Sequence, residues 1–227
     1  MDLRQRVLRR SPLVVWTLNG LLGVSSLLFL HAMVRQNLSG AALTHWPWSW
    51  QLLDAQSATA ALMAATGAIV ARAQFARTVQ PLLGVSAWTA AGQAPGGVLS
   101  WTCYLRNEGH GSLVVRSIDY RVDFTATADS PATSTGWTTR DAVVEAAAER
   151  GLRSGTDYRL TSMRPNGVLG SESRFMLAWF AETGLAVIAD AYVRITVQDR
   201  LGDLHGRAIS CLIDADRELS HPMTDLT

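Results

Sequence analysis

Residues 12–34 read PLVVWTLNGLLGVSSLLFLHAMV, and they decide the architecture of this chain. The run carries no acidic or basic residue besides His31. At 1.5 Å per residue its length gives roughly 35 Å of helix, enough to cross a bilayer core of about 30 Å. A second, less hydrophobic run covers about Leu52 to Ala71. Two crossings joined by a short loop make a helical hairpin, and everything after it hangs on one side of a membrane.

Charge placement sets the expected orientation. Arg4, Arg6, Arg9 and Arg10 precede the first helix, Arg72 and Arg77 follow the second, and the connecting loop carries only Arg35. Positive residues favour cytoplasmic flanks, so both termini are expected in the cytoplasm with the 36–51 loop outside. Trp46, Trp48 and Trp50 in that loop suit the headgroup layer. An Arg-rich start before an apolar run also describes a signal peptide, but the run exceeds a usual h-region and no small-x-small site follows it. A retained anchor is expected. After Ala71 the helix continues with Phe75, Val79 and Leu82 at helical spacing until Pro81 ends it. Within the second helix Ala60, Ala64 and Ala68 form a small-xxx-small ladder, and Gly20, Gly23 and Ser26 offer a matching groove on the first. Two roles are open for these faces: packing of the hairpin within one chain, or oligomerisation.

Composition narrows the rest. The chain has 227 residues, net charge +1, and twenty basic residues that are all Arg. Arg without Lys, with abundant Ala, points to a GC-rich bacterial genome; it also removes Lys-dependent chemistry, including Schiff bases and P-loops. No basic face marks a nucleic-acid partner. Two cysteines, Cys103 and Cys211, make neither a disulfide scaffold nor a zinc site.

From Leu83 the apolar period becomes two. Trp101, Cys103 and Leu105 alternate with Thr102, Tyr104 and Arg106; Ile118, Tyr120, Val122 and Phe124 alternate with Asp119, Arg121 and Asp123. Further runs at Tyr158–Met163, Arg174–Phe180, Tyr192–Gln198 and Arg207–Ile213, with a first strand near Gly84–Ala90, bring the count to about seven. Asn166-Gly167 reads as a hairpin turn between two of them. Thr138 is placed to cap an inserted helix that Gly151 stops. Short antiparallel strands in this number describe a β-sandwich. Its core should hold Trp101, Tyr120, Phe124 and Trp179. The division expected is a two-helix anchor with juxtamembrane helix over 1–82, a β-sandwich over 83–216, and a polar tail over 217–227.

Few residues suggest chemistry. Asp199, Asp203, His205, Asp214 and Asp216 have the donor types for a hard cation or for acid–base work. Asp199 and Asp203 also flank Gly202 as a solvated hairpin loop would. No nucleophile elbow, phosphate loop or HExxH occurs, so neither an enzyme nor a cofactor is expected. Cys103 and Cys211 both fall on core-facing positions. In a cytoplasmic domain they stay reduced; in an exported one they link the sheets.

The segment LRNEGHGSLVVRSIDYRVDF (105–124), with its N-x-G-x-G turn, and the closing VRITVQDRLGDLHGRAISC resemble uncharacterised bacterial membrane proteins with two N-terminal transmembrane helices and an immunoglobulin-like domain. That resemblance implies an immunoglobulin-like sandwich and no activity. The expected role is a non-enzymatic, membrane-tethered binding or assembly module at the bacterial plasma membrane, meeting a protein partner or a second copy of itself. In layout the chain also resembles the two-helix, β-rich effectors of bacterial cyclic-nucleotide defence systems. This implies an alternative in which Arg116, Arg121 or Arg194 contacts a nucleotide and the Ala60–Ala68 face oligomerises.

Overall fold

The computed structural model describes residues 4–40, 43, 53–126, 130–164 and 166–219. Trp46, Trp48 and Trp50, and the end of the polar tail, lie outside them. The chain order is β1 (Arg6–Arg9), α1 (Pro12–Asn37), α2 (Ala55–Thr78), β2 (Leu83–Ala90), β3 (Ser100–Asn107), β4 (Leu113–Phe124), β5 (Thr133–Ser134), α3 (Arg140–Glu149), β6 (Tyr158–Leu160), β7 (Val168–Leu169), β8 (Arg174–Ala181), α4 (Glu182–Val187), β9 (Ile188–Gln198) and β10 (Leu204–Ser210). Two compact units result, one spanning Arg10–Thr78 and the other joining Met1–Arg9 to Val79–Thr227. Residues 4–9 and 79–82, assigned by the expected division to the anchor over 1–82, therefore group with the strands.

In the helical unit α1 and α2 are each long and apolar enough to cross a membrane. Pro12 opens α1, where its missing N–H costs nothing. Asp54 opens α2, its Oδ1 accepting from Ser57 N at 2.8 Å. The two helices pack through small residues spaced by seven: Ser25 and Ala32 on α1, Ala58 and Ala65 on α2. This corrects the expected hairpin packing. Ala60, Ala64 and Ala68 are exposed, as are Gly20 and Gly23, and a Cβ added at either glycine meets nothing within 4 Å. At 3.6 residues per turn, Ala60 lies about 200° round the helix from Ala58 and Ala64 about 100° from Ala65, which turns both away from the seam.

The strand unit is a sandwich of two antiparallel sheets around one core. One sheet runs β1-β10-β9-β4-β5 with β7 also on β4; the other runs β2-β3-β8-β6. Ten strands occur among the described residues instead of about seven, because β1, β5 and β7 are too short for periodicity to reveal. Trp101, Cys103 and Leu105 of one sheet meet Tyr120, Val122 and Phe124 of the other in the same core.

Two bulges reverse the alternation partway along strands. In β4, Val115 pairs with Val197 and Ser117 with Thr196, which leaves Arg116 as the inserted residue. Before it Leu113 and Val115 are buried; after it Tyr120, Val122 and Phe124 are. In β8 the shift falls at Leu177, since Cys103 pairs with Ala178 and Tyr104 with Met176. Trp179 is buried as expected, but on the outer side of its sheet, packed with Ala94, Ala181 and Met176.

Two local expectations are revised. The Asn166-Gly167 turn does not close a hairpin between β6 and β8. It leads into β7, which pairs with β4 in the other sheet. The cap of α3 is Thr139, whose side chain accepts from Ala142 N, because Thr138 is committed to a backbone bridge with Tyr120. Asn107 is fully buried, and its Nδ2 donates to Gly111 O and Gly170 O at 2.7 and 2.8 Å. This ties the β3–β4 turn to the start of β8.

Phe124 is 3% exposed in the core. Phe124→Ala is expected to lower unfolding stability by about 3–5 kcal/mol, measured by denaturant titration of the detergent-solubilised chain.

Candidate functional site

The three arginines singled out on the sheet are treated differently by the fold. Asp119 and Arg194 sit opposite each other on β4 and β9, and their ion pair closes at 2.9 Å. Arg121 holds Asp123 of its own strand at 3.0 Å. Each guanidinium also lies over a ring, Arg194 at 4.8 Å from the Trp137 centroid and Arg121 at 5.4 Å from Tyr192. The Tyr192 hydroxyl in turn donates to Asp190, which pushes its pKa up to about 12. Such half-exposed pairs are worth under about 1 kcal/mol each, but they neutralise the charge that would attract an anionic ligand. Arg121 and Arg194 are thus members of a balanced ionic face.

Arg116 differs. Its Nε donates to Gln198 Oε1 at 2.9 Å, and its terminal nitrogens reach Gln198 and the Asn166 Oδ1. Both partners are neutral amides. Gln198 is itself oriented, since its Nε2 donates to Gly202 O at 3.0 Å. The bulge exposes Arg116, two amides hold it, and no carboxylate among the described residues is ion-paired with it.

The β9–β10 turn is not the solvated loop expected. Asp199, Asp203 and His205 are 9%, 5% and 3% exposed. Asp199 Oδ1 accepts from Leu201 N and Asp203 N at 2.8 and 2.9 Å, while Oδ2 meets His205 Nε2 at 2.9 Å. One carboxylate therefore closes the turn and anchors a buried imidazole. Among the described residues no three His, Cys, Asp or Glu side chains are placed to hold a metal ion. His110 is exposed whereas His205 is buried.

Cys103 and Cys211 are free, fully buried thiols. A hydrogen bond from one thiol to the other, reinforced by burial, raises Cys211 well above the ordinary thiol range. The Trp101 indole N–H donates to Cys211 O at 2.8 Å, joining the sheets at the same point.

One element was not legible in the sequence. Residues 6–9 form β1 on the free edge of β10, with Arg6 opposite Gly206, Val7 opposite His205 and Arg9 opposite Leu204. Gly206 makes this approach possible, because a Cβ there would come within 2.8 Å of Leu8 Cδ1. Just before the strand, Gln5 clasps the chain that leaves α2: its Nε2 donates to Pro81 O at 2.6 Å and its Oε1 accepts from Leu83 N at 3.0 Å. RVLR has no period-two alternation and all four residues are exposed, so the sequence carried no strand signal there. No protein-family model matches this chain, and no curated protein does.

Removing His205 leaves a buried carboxylate oxygen of Asp199 without its partner. His205→Ala should therefore cost about 1–3 kcal/mol in denaturant unfolding, with the exposed His110→Ala near neutral. Thiol labelling of the denatured protein without reductant should modify both Cys103 and Cys211; a quantitative disulfide would contradict the reduced core.

Proposed function

We propose that this protein is a two-pass membrane anchor carrying a cytoplasmic, immunoglobulin-like recognition and assembly module, non-enzymatic in itself. The observation that supports it best is the N-terminal clasp. Only Arg10 and Ser11 separate β1 from α1, and α2 ends at Thr78, shortly before the Pro81 that Gln5 holds. A chain tied to one domain at both ends of its helical segment crosses a bilayer an even number of times. If α1 spans, α2 spans as well, which answers the weaker hydropathy of α2. The Arg residues at both ends of this segment favour the cytoplasmic side for the whole strand unit.

The assembly half of the reading rests on the faces that the hairpin leaves unused. Ala60, Ala64 and Ala68 are exposed, and such ladders let helices of neighbouring chains approach closely in lipid. The balanced ionic face of β4 and β9, with Trp137 and Tyr192 beneath its arginines, has the aromatic and Arg content of a protein-docking surface. It is a poor site for a nucleotide, since Arg121 and Arg194 hold carboxylates only 25% and 34% exposed, packed into the sheet face and not free to swing clear.

Reporter fusions and sedimentation test the two halves. A C-terminal fluorescent protein should glow while an alkaline phosphatase fusion at the same point stays silent; the reverse pattern refutes cytoplasmic placement. In detergent the chain should sediment as an oligomer that Ala64→Ile dissociates and Gly67→Ala does not. A monomer at all concentrations would remove the assembly role.

A further inference from the structure

We propose that the cleft beside the Arg116 bulge binds a small organic phosphate. This goes beyond membrane tethering and does not depend on it. Strand β4 has an incompletely covered edge: β7 pairs with it at Leu113 and Val114, and the next bridge is Tyr120 with Thr138. Between them no strand covers it on that side among the described residues, and a cleft of about 350 Å³ opens there. That volume lies within the range of small-molecule sites.

Its lining divides by chemistry. Ile118 and Met163, both partly exposed, supply apolar surface that suits the body of an organic ligand, over a floor formed by the buried Val115 and Tyr120. Arg116 and Arg140 supply cationic donors, with hydroxyls from Ser117, Thr139 and Ser162. The Tyr120 hydroxyl is already spent on Thr161 O at 2.7 Å, so Tyr120 contributes its ring rather than a donor. Arg116 carries the argument. Its guanidinium is fixed by Gln198 and Asn166 without losing its charge, and Gln198 is locked by its own bond to Gly202 O. Asn166 holds its place in the left-handed region, φ 64°, a conformation Asn tolerates better than most residues. A planar guanidinium fixed in this way suits a phosphate, whose oxygens accept in pairs.

Asp141 also lines the cleft and opposes an anion there. It pairs with Arg140 at 2.8 Å, with side chains 83% and 43% exposed. So exposed a pair exchanges readily, and a phosphate arriving at Arg140 would displace the carboxylate. This gives the site a signature opposite in sign to that of Arg116: neutralising Asp141 should improve binding.

The test uses the full chain in neutral detergent, because β1 makes the strand unit discontinuous, with phenyl phosphate as the probe in calorimetric titration at low salt. Saturable binding is expected, weakened at least about tenfold in Arg116→Ala, as for loss of a charge-assisted hydrogen bond. Arg121→Ala should leave it unchanged, and Asp141→Asn should tighten it. Arg116→Gln, which keeps the stem length, serves as second variant if Arg116→Ala does not fold. No saturable binding, equal binding in the Arg116 variants, or equal losses at Arg116 and Arg121 would overturn the proposal. Repeating the titration in nanodiscs, with phosphatidylcholine alone or with added phosphatidic acid, separates the two phosphate sources. Competition by phosphatidic acid assigns the site to a lipid headgroup, and unchanged affinity assigns it to a soluble ester.

Discussion

The side-chain amide of Gln5 ties the chain just before β1 to the chain entering β2. By donating to Pro81 O and accepting from Leu83 N it acts as a missing strand neighbour for the chain entering β2. Immediately after it, β1 completes the sheet at β10. A four-residue strand is a weak element on its own, with net gains of about 0.5–1.5 kcal/mol per hydrogen bond. It persists because Gln5, just before it, is bonded to Pro81 O and Leu83 N, and because Gly206 leaves room for Leu8 to lie against β10. The arrangement also solves an edge problem. Without β1 the free side of β10 would offer an unpaired ladder; with it, the outermost strand is short and carries Arg6 and Arg9, both poor templates for further pairing.

From that edge inward the sandwich is ordered by polar groups that had to be satisfied. The Asp199 carboxylate spends one oxygen on two backbone N–H groups and the other on His205. Asn107 does the same at the opposite sheet, joining the β3–β4 turn to Gly170. Both are buried polar side chains whose hydrogen bonds fix loop positions that apolar packing would leave free. The bulge at Arg116 belongs with them. It reverses the facing of β4, so that apolar residues on both sides of it reach the core, and it leaves one arginine exposed.

Much of this was legible. Residues 118–124 alternate cleanly because they lie wholly on one side of the bulge; residues 113–115 belong to the same strand but to the opposite phase, so the periodicity breaks between them. The helices were legible by length alone. Their seam was not, because alanine occurs all round α2 and no spacing selects Ala58 and Ala65 over Ala60 and Ala64. Residues 6–9 were read through their charge, as flanks of a membrane helix, and with Val7 beside Leu8 and all four residues exposed they show no strand alternation. His205 and Asp199 have the composition of any polar turn, and only the three-dimensional neighbours of β10 bury them.

The central claim is that the N-terminal strand closes onto the C-terminal hairpin of its own chain, and a disulfide tests it most directly. Arg9 and Leu204 are direct partners across β1 and β10. The double variant Arg9→Cys, Leu204→Cys, oxidised in intact membranes with each single variant as control, should form an intramolecular disulfide, since Cα atoms paired in a sheet lie about 4.5–5.5 Å apart, within disulfide reach. No crosslink, or one found only between two chains, would contradict the account.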